Sequence, residues 1–259
     1  MNPVTEVYHI DCVQYMQTLP DKYFDLAIVD PPYGGGSHAD AGGQFERLQT
    51  NKELGVHFNG RGRSARYQKF IKVHRESCGG GNHKKYHTGN NLREWDNAPP
   101  QAYFDELFRV SKNQIIWGGN YFGLPPTRCF LVWRKLTISE NFSMAMCEYA
   151  WTSFNDNAKY IEIVPQGNKK YERFHPTQKP VKLYHWILQN YAKQGDKIFD
   201  SHLGSGSSRI AAYRLGYDFY AAEIDKQYFE AQEARFRSEC LGEKVLNNNV
   251  IMKQLDLEI

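Results

Sequence analysis

One stretch constrains this chain more than any other: Phe24-Asp25-Leu26-Ala27-Ile28-Val29, followed at once by Asp30-Pro31-Pro32-Tyr33. The apolar run is short and nearly continuous, which predicts a strand buried on both faces. Two successive prolines have no N–H to give a neighbouring strand, so the ladder must stop at Asp30. A carboxylate, a rigid carbonyl-bearing dipeptide and an aromatic ring are thereby left at the strand's C-terminal edge. In open α/β sheets that edge is where ligands bind.

The tetrapeptide has a chemistry of its own. Asp30 can accept a hydrogen bond from one hydrogen of an amino group, and the Pro31 carbonyl, held by Pro32, can accept the other. Two such acceptors draw a planar, conjugated amine toward tetrahedral geometry and free its lone pair. Tyr33 offers a flat face to the ring that carries the amine. These residues fit an exocyclic amine of a nucleobase. The motif resembles the catalytic motif of amino-group DNA methyltransferases, which use S-adenosylmethionine. By that resemblance Asp30, Pro31, Pro32 and Tyr33 are the expected catalytic residues, no metal is needed, and the target base must flip out of the duplex.

A second constellation lies near the C-terminus. A strand at Lys197–Phe199 leads into Asp200-Ser201-His202-Leu203-Gly204-Ser205-Gly206, then a helix over Ser207–Leu215 closed by Gly216. Such a turn lets a ligand approach the backbone closely. The next strand, Phe219–Ile224, carries Glu223 near its end, placed to bind ribose hydroxyls, with Asp225 as the alternative. A nicotinamide dehydrogenase would need a third glycine, and position 209 is Arg. The amine motif precedes the glycine turn, an order that resembles the permuted, beta class of the DNA methyltransferases. Asp11-Cys12 resembles that family's adenine-contacting segment. His175-Pro176-Thr177-Gln178-Lys179-Pro180 resembles the segment leading into the helix that closes the cofactor pocket. The resemblance implies a cofactor set of Asp11, Cys12, Lys179, Asp200, His202, Gly204, Ser205, Gly206 and Glu223. The family commonly has Asp-Pro-Phe where this chain has Asp200-Ser201-His202.

Between the two motifs the texture changes. Residues 34–94 hold 11 Lys or Arg against 5 Asp or Glu, a formal charge of +6 where the whole chain carries +3. Glycine clusters and five of the nine histidines fall there as well. This reads as a basic insert, with a short helix near Tyr67–Val73, within a single methyltransferase domain spanning residues 1–259. Arg61, Arg63, Arg66, Lys84 and Lys85 are its expected DNA contacts. The spacing of His74, Cys78, His83 and His87 matches no familiar zinc pattern.

Elsewhere, helices are predicted over Gln101–Val110, from Pro180 as first helical residue, and near Gln227–Arg237. Strands are predicted over Val4–Ile10, Gln114–Trp117, Cys129–Trp133 and Met144–Phe154. Residues Asn155–Phe174 are read as containing no regular element. Five scattered cysteines without a CxxC pair are expected to be reduced thiols. No apolar run has membrane-spanning length, and Met1–Asp11 shows no signal-peptide pattern.

The expectation is therefore an α/β, Rossmann-like methyltransferase fold with a mostly parallel sheet. It would act in the cytoplasm on double-stranded DNA, away from membranes. Asp rather than Ser before Pro-Pro-Tyr favours adenine N6 over cytosine N4 by the same resemblance. A protein-glutamine or RNA methyltransferase, or a catalytically silent DNA-binding protein, remain alternatives. A homodimer and a partner restriction endonuclease are open.

Overall fold

The structure is a computed structural model, and it describes residues 3–34, 97–139, 145–165, 174–246 and 250–253. The chain divides into two compact units: Met1–Tyr33 with Ala98–Ile259, and Gly34–Asn97. The second lies almost wholly outside the described residues. So do the expected helix near Tyr67–Val73 and the candidate DNA contacts Arg61, Arg63, Arg66, Lys84 and Lys85.

The first unit is built on an eight-stranded sheet. Its strands are β1 (Thr5–His9), β2 (Phe24–Val29), β3 (Ser111–Trp117), β4 (Phe130–Lys135), β5 (Cys147–Thr152), β6 (Lys159–Ile163), β7 (Lys197–Asp200) and β8 (Asp218–Glu223). They lie in the order β1-β8-β7-β2-β3-β5-β4-β6. Only β5 runs against its neighbours, pairing antiparallel with β3 and with β4. β2 is flanked by β3 and β7, both parallel to it. The C-terminal ends of β2, β7 and β8 therefore lie along one rim.

Helices cover both faces. On one side, Leu26 and Ile28 of β2 pack with Ile115, Trp117, Leu131, Ile198 and the helices α3 (Val181–Tyr191) and α4 (Ser207–Leu215). On the other, Ala27 and Val29 pack with Ile116, Phe199 and the helices α1 (Cys12–Gln17) and α2 (Gln101–Val110). Alternate residues of β2 thus feed two cores, which is what an apolar run without polar interruption requires. α2 forms because Tyr103, Leu107 and Val110 recur at helical spacing and are all buried. In α3 the buried set is Leu183, Tyr184, Ile187 and Leu188. Each such aliphatic side chain contributes roughly 1.5–3 kcal/mol by leaving water. α4 stops at Gly216, whose φ of 77° is a left-handed cap. The last helix, α5 (Lys226–Cys240), is followed by a hairpin of β9 (Glu243–Leu246) and β10 (Val250–Lys253).

Three expectations need correction. Asn155–Phe174 does contain a strand, β6, parallel to β4 at the sheet's edge. Only Ile161 and Ile163 of its residues pack on the core, while Tyr160 is exposed. Two apolar residues among polar neighbours give too weak an alternation to read. Pro180 is the residue capping α3 rather than its first turn. The last helix extends to Cys240, past Arg237, and the hairpin after it was not foreseen. Among the described residues, no helix is long and apolar enough to cross a membrane.

Candidate active site

β2 ends at Val29, so Asp30 stands at the rim between β3 and β7. Its two carboxylate oxygens are engaged separately. The Tyr33 hydroxyl donates to Oδ1 at 2.8 Å, and the Lys179 ammonium donates to Oδ2. Lys179 also lies 3.2 Å from Glu148 Oε2, and Glu148 Oε1 is 2.6 Å from the Lys135 ammonium. Lys179 is 3% exposed at its side chain, and its ammonium sits 5.2 Å above the centre of the Trp117 ring. Four charges from β2, β4, β5 and the strap before α3 thus alternate in sign.

The electrostatics follow from burial and from that alternation. Burial raises the Asp30 carboxyl above its ordinary value, opposed by the charge of Lys179. Burial works against the ammonium of Lys179, but Asp30 and then Glu148 outweigh it and hold its pKa above the usual lysine value. Glu148 is half-buried, yet Lys179 and Lys135 keep its carboxyl below the ordinary range.

Tyr33 is held by backbone and by rings. Gly118, at the end of β3, has φ 67°, and a Cβ there would lie 2.1 Å from Tyr33 Cε1. Only glycine fits against that ring. The next residues, Gly119–Tyr121, form a 3₁₀ turn. It brings Tyr121 into a stack on Tyr33, with ring centres 4.9 Å apart and planes 20° apart. Tyr121 is 47% exposed, so this aromatic step opens toward solvent.

The second group of expected residues gathers at the ends of β7 and β8. Asp200 is buried at the end of β7; Oδ1 accepts from the His202 N–H at 3.1 Å and Oδ2 from the Ser208 hydroxyl at 2.6 Å. Burial pushes its pKa up to about 7, against those two donors. Glu223 ends β8; Oε2 accepts from the Gly204 N–H at 2.7 Å and Oε1 from the Asp225 N–H at 2.9 Å. Burial raises its pKa as well. Among the described residues, no cation pairs with Asp200 or Glu223. Gly204 has φ 50°, and a Cβ there would come within 3.0 Å of His175 Nε2.

His202 is half-buried and lies 4.0 Å, through Nε2, from the Cys12 thiol; its Nδ1 is 2.8 Å from the Ser201 hydroxyl. Burial pushes the imidazole down to about 4 and the Cys12 thiol up to about 12, so both are neutral at pH 7. Asp11 and Asp225 cap α1 and α5, each accepting two backbone N–H groups. Ser205 and Gly206 complete the turn, with Gly206 at φ 73° against Gln232. Arg209, where a third glycine would sit, is buried. Its guanidinium reaches Thr5 Oγ1 at 2.9 Å, Gln232 Oε1 at 3.0 Å and Glu233 at 2.5 Å. α4 is thus tied to β1 and α5 by a charged side chain instead of close backbone packing.

Two groups emerge on one rim: Asp30 with Tyr33, and the turn Asp200–Gly206 with Glu223. Lys179 is the one expected cofactor residue found with the first group, because two carboxylates there attract its charge. Glu148, Lys135, Gly118 and Tyr121 were not singled out from sequence. Of these, the Gly118-Gly119 pair closing β3 was the available signal.

Residues 82–234, more than half of the chain, match the family model described as DNA methylase. Among curated proteins, the chain is 23% identical to the Type II methyltransferase M2.DpnII of Streptococcus pneumoniae over 89% of each chain. It is 22% identical to M2.LlaDCHI of Lactococcus lactis subsp. cremoris, covering 88% of this chain and 87% of that one. Two solved structures share the fold. The PvuII cytosine-N4-specific DNA methyltransferase superposes with a TM-score of 0.52 at 12% identity, over 96% of this chain and 90% of that one. TTHA0409 of Thermus thermophilus, a candidate DNA modification methylase, superposes with a TM-score of 0.50 at 13% identity, over 96% and 98%.

Proposed function

The chain belongs to the DNA methylase family, as an S-adenosylmethionine-dependent DNA amino-methyltransferase, and we propose that its target atom is N6 of adenine. The observation that carries this reading is the Asp30 carboxylate at the end of β2, pinned by Tyr33 and Lys179. It retains lone pairs for an incoming N–H. With the Pro31 carbonyl it takes the two hydrogens of the amine, and the Tyr33 ring orients the base. When bound, S-adenosylmethionine supplies an electrophilic methyl group. The residues of this chain contribute orientation, exclusion of water and a sink for the proton that the methylated amine must lose. Asp in place of Ser at position 30 supports adenine over cytosine N4.

The residues of the β7–β8 rim fit the donor. Asp200 and Glu223 are buried carboxylates that accept from N–H and hydroxyl groups, and S-adenosylmethionine carries a sulfonium and an ammonium. Glu223 is assigned to the ribose, the Gly204-Ser205-Gly206 backbone to the close approach, and Asp11, Cys12, Asp200 and His202 to the surrounding wall. The basic segment 34–94, with Arg61, Arg63, Arg66, Lys84 and Lys85, is assigned to DNA phosphate as an insert in a single methyltransferase domain. Such an enzyme works in the cytoplasm, and the Type II names of both relatives support a partner restriction endonuclease.

The test is direct. Purified protein, duplex DNA and labelled S-adenosylmethionine are incubated, and the DNA is digested to nucleosides. N6-methyl-2′-deoxyadenosine is the expected product; N4-methyl-2′-deoxycytidine would replace the adenine reading, and label in RNA or protein offered in place of DNA would replace the substrate. Neutralising Arg61, Arg63 and Arg66 together should make the salt dependence of DNA binding shallower, by up to about one log unit for each phosphate that is no longer neutralised.

A further inference from the structure

Asp30 sits in a cluster whose charges do more than stabilise the fold. Its partner Lys179 comes from the strap before α3, Glu148 from β5, and Lys135 from the end of β4. With Asp30 the four make two anions and two cations. We propose that Lys179 is the positioning residue for methyl transfer: it keeps the Asp30 carboxylate ionised and fixed in rotation as the target amine arrives, while Glu148 and Lys135 hold Lys179 in place. This rests on the reading of Asp30 as the amine's acceptor.

The geometry gives the reason. An amine hydrogen needs an acceptor, and a carboxylic acid has lost part of that capacity to its own proton. Without Lys179, Asp30 would face mostly like charge or neutral groups. Tyr33 donates to it from its own turn, Tyr184 approaches from α3 and Tyr103 from α2, while Glu148 on β5 is an anionic neighbour and Asp200 on β7, its carboxyl pushed up to about 7, becomes one at higher pH. Lys179 is the cation among these neighbours. Burial already favours the protonated acid, so removing the ammonium carries the carboxyl toward neutral pH. Rotation is fixed in the same stroke. Lys179 holds Oδ2 and Tyr33 holds Oδ1, so each oxygen keeps a lone pair in a defined direction. Glu148 has the opposite influence on the acid itself: its negative charge raises the Asp30 pKa.

That opposition separates positioning from mere structural support. Single-turnover methylation of duplex DNA is measured from pH 5 to 9 at saturating S-adenosylmethionine, for wild type, Lys179→Met, Lys179→Arg, Glu148→Gln and Asp30→Ala. Cofactor affinity is followed by calorimetry. Ionised Asp30 is the working form, so a raised pKa moves the acid limb up. Lys179→Met should shift that limb up by about 1–3 pH units with cofactor affinity unchanged. Lys179→Arg should restore the wild-type limb, and Glu148→Gln should move it down. A Lys179→Met enzyme slowed equally at every pH, or limbs shifted alike by Lys179→Met and Glu148→Gln, would overturn the proposal. If Lys179→Met melts below the assay temperature, Lys179→Gln is measured in its place: a limb moved up supports positioning, and an unmoved limb refutes it. Asp30→Ala tests the underlying reading separately. Wild-type rates in that variant would remove Asp30 from catalysis, whereas an inactive Asp30→Ala beside an unmoved Lys179→Met limb would remove only the role of Lys179.

Discussion

Two regions of the same rim solve the problem of a buried carboxylate in opposite ways. At the end of β2, Asp30 has a lysine against it, and that lysine is shared with a second carboxylate. At the ends of β7 and β8, Asp200 and Glu223 have backbone N–H groups and a serine hydroxyl. A neutral base brings no charge to its acceptor, so the protein must supply the counter-ion. A cationic methyl donor brings its own, and a protein cation there would repel it. The difference matches the ligand proposed for each region: a neutral base at Asp30 and a cationic donor at Asp200 and Glu223.

Breaking the comparison starts with the glycine that supports the first region. Gly118→Ala should displace Tyr33 and slow methylation on the order of a hundredfold, the usual cost of about 1 Å of misplacement. Cofactor affinity, measured by calorimetry, should stay as it was. Equal damage to both would mean the two regions are one mechanical unit.

On the other side, Glu223→Ala should weaken S-adenosylmethionine binding by about 1–3 kcal/mol, the size of a missing hydrogen bond to a charged group. Unchanged affinity would move the ribose contact to Asp225. The third expectation concerns protons. Burial pushes the Asp200 carboxyl up to about 7, and a cation favours its ionised form. Affinity for the donor should therefore fall below pH 7, by up to about tenfold per pH unit, and Asp200→Asn should flatten that dependence. The sign for stability is opposite. A carboxyl raised above its unfolded value opposes folding as pH climbs toward 7, so Asp200→Asn should melt higher than wild type at pH 8 in the absence of donor. A melting point that falls instead would show that the Ser208 and His202 bonds dominate. The smallest effect is expected from Tyr33→Phe, which keeps the ring and loses one bond to Asp30, slowing methylation by about 1 kcal/mol in barrier.

The two regions also differed in how far they could be read from the chain. Asp30-Pro31-Pro32-Tyr33 and the turn from Asp200 to Gly206 are local: strand, stop and side chains lie within ten residues. β2, α2 and α4 follow from periodicity that the cores then satisfy. The counter-ions of Asp30 are not local. Lys179 lies 149 residues from its partner, and Glu148 reaches it only because β5 is inserted, reversed, between β3 and β4. Sheet order of that kind leaves no trace in spacing. The aspect of Lys179 that sequence did carry was its place in the His175–Pro180 segment; its contact with Asp30 was not legible there.

The parallel pairing of β1 with β8 has a consequence for how the protein is made. Thr5 lies beside Phe219 in the sheet, so during synthesis β1 waits for a strand 214 residues further along the chain. At about 5–20 residues per second, that wait is on the order of ten seconds or more. During it, β1 and the face of β2 meant for β7 have no partner. A chain released early, before Glu223, would hold the acceptor for an amine but no place for the methyl donor. On the proposed reading, copies terminated before Glu223 should bind no methyl donor and leave DNA unmethylated.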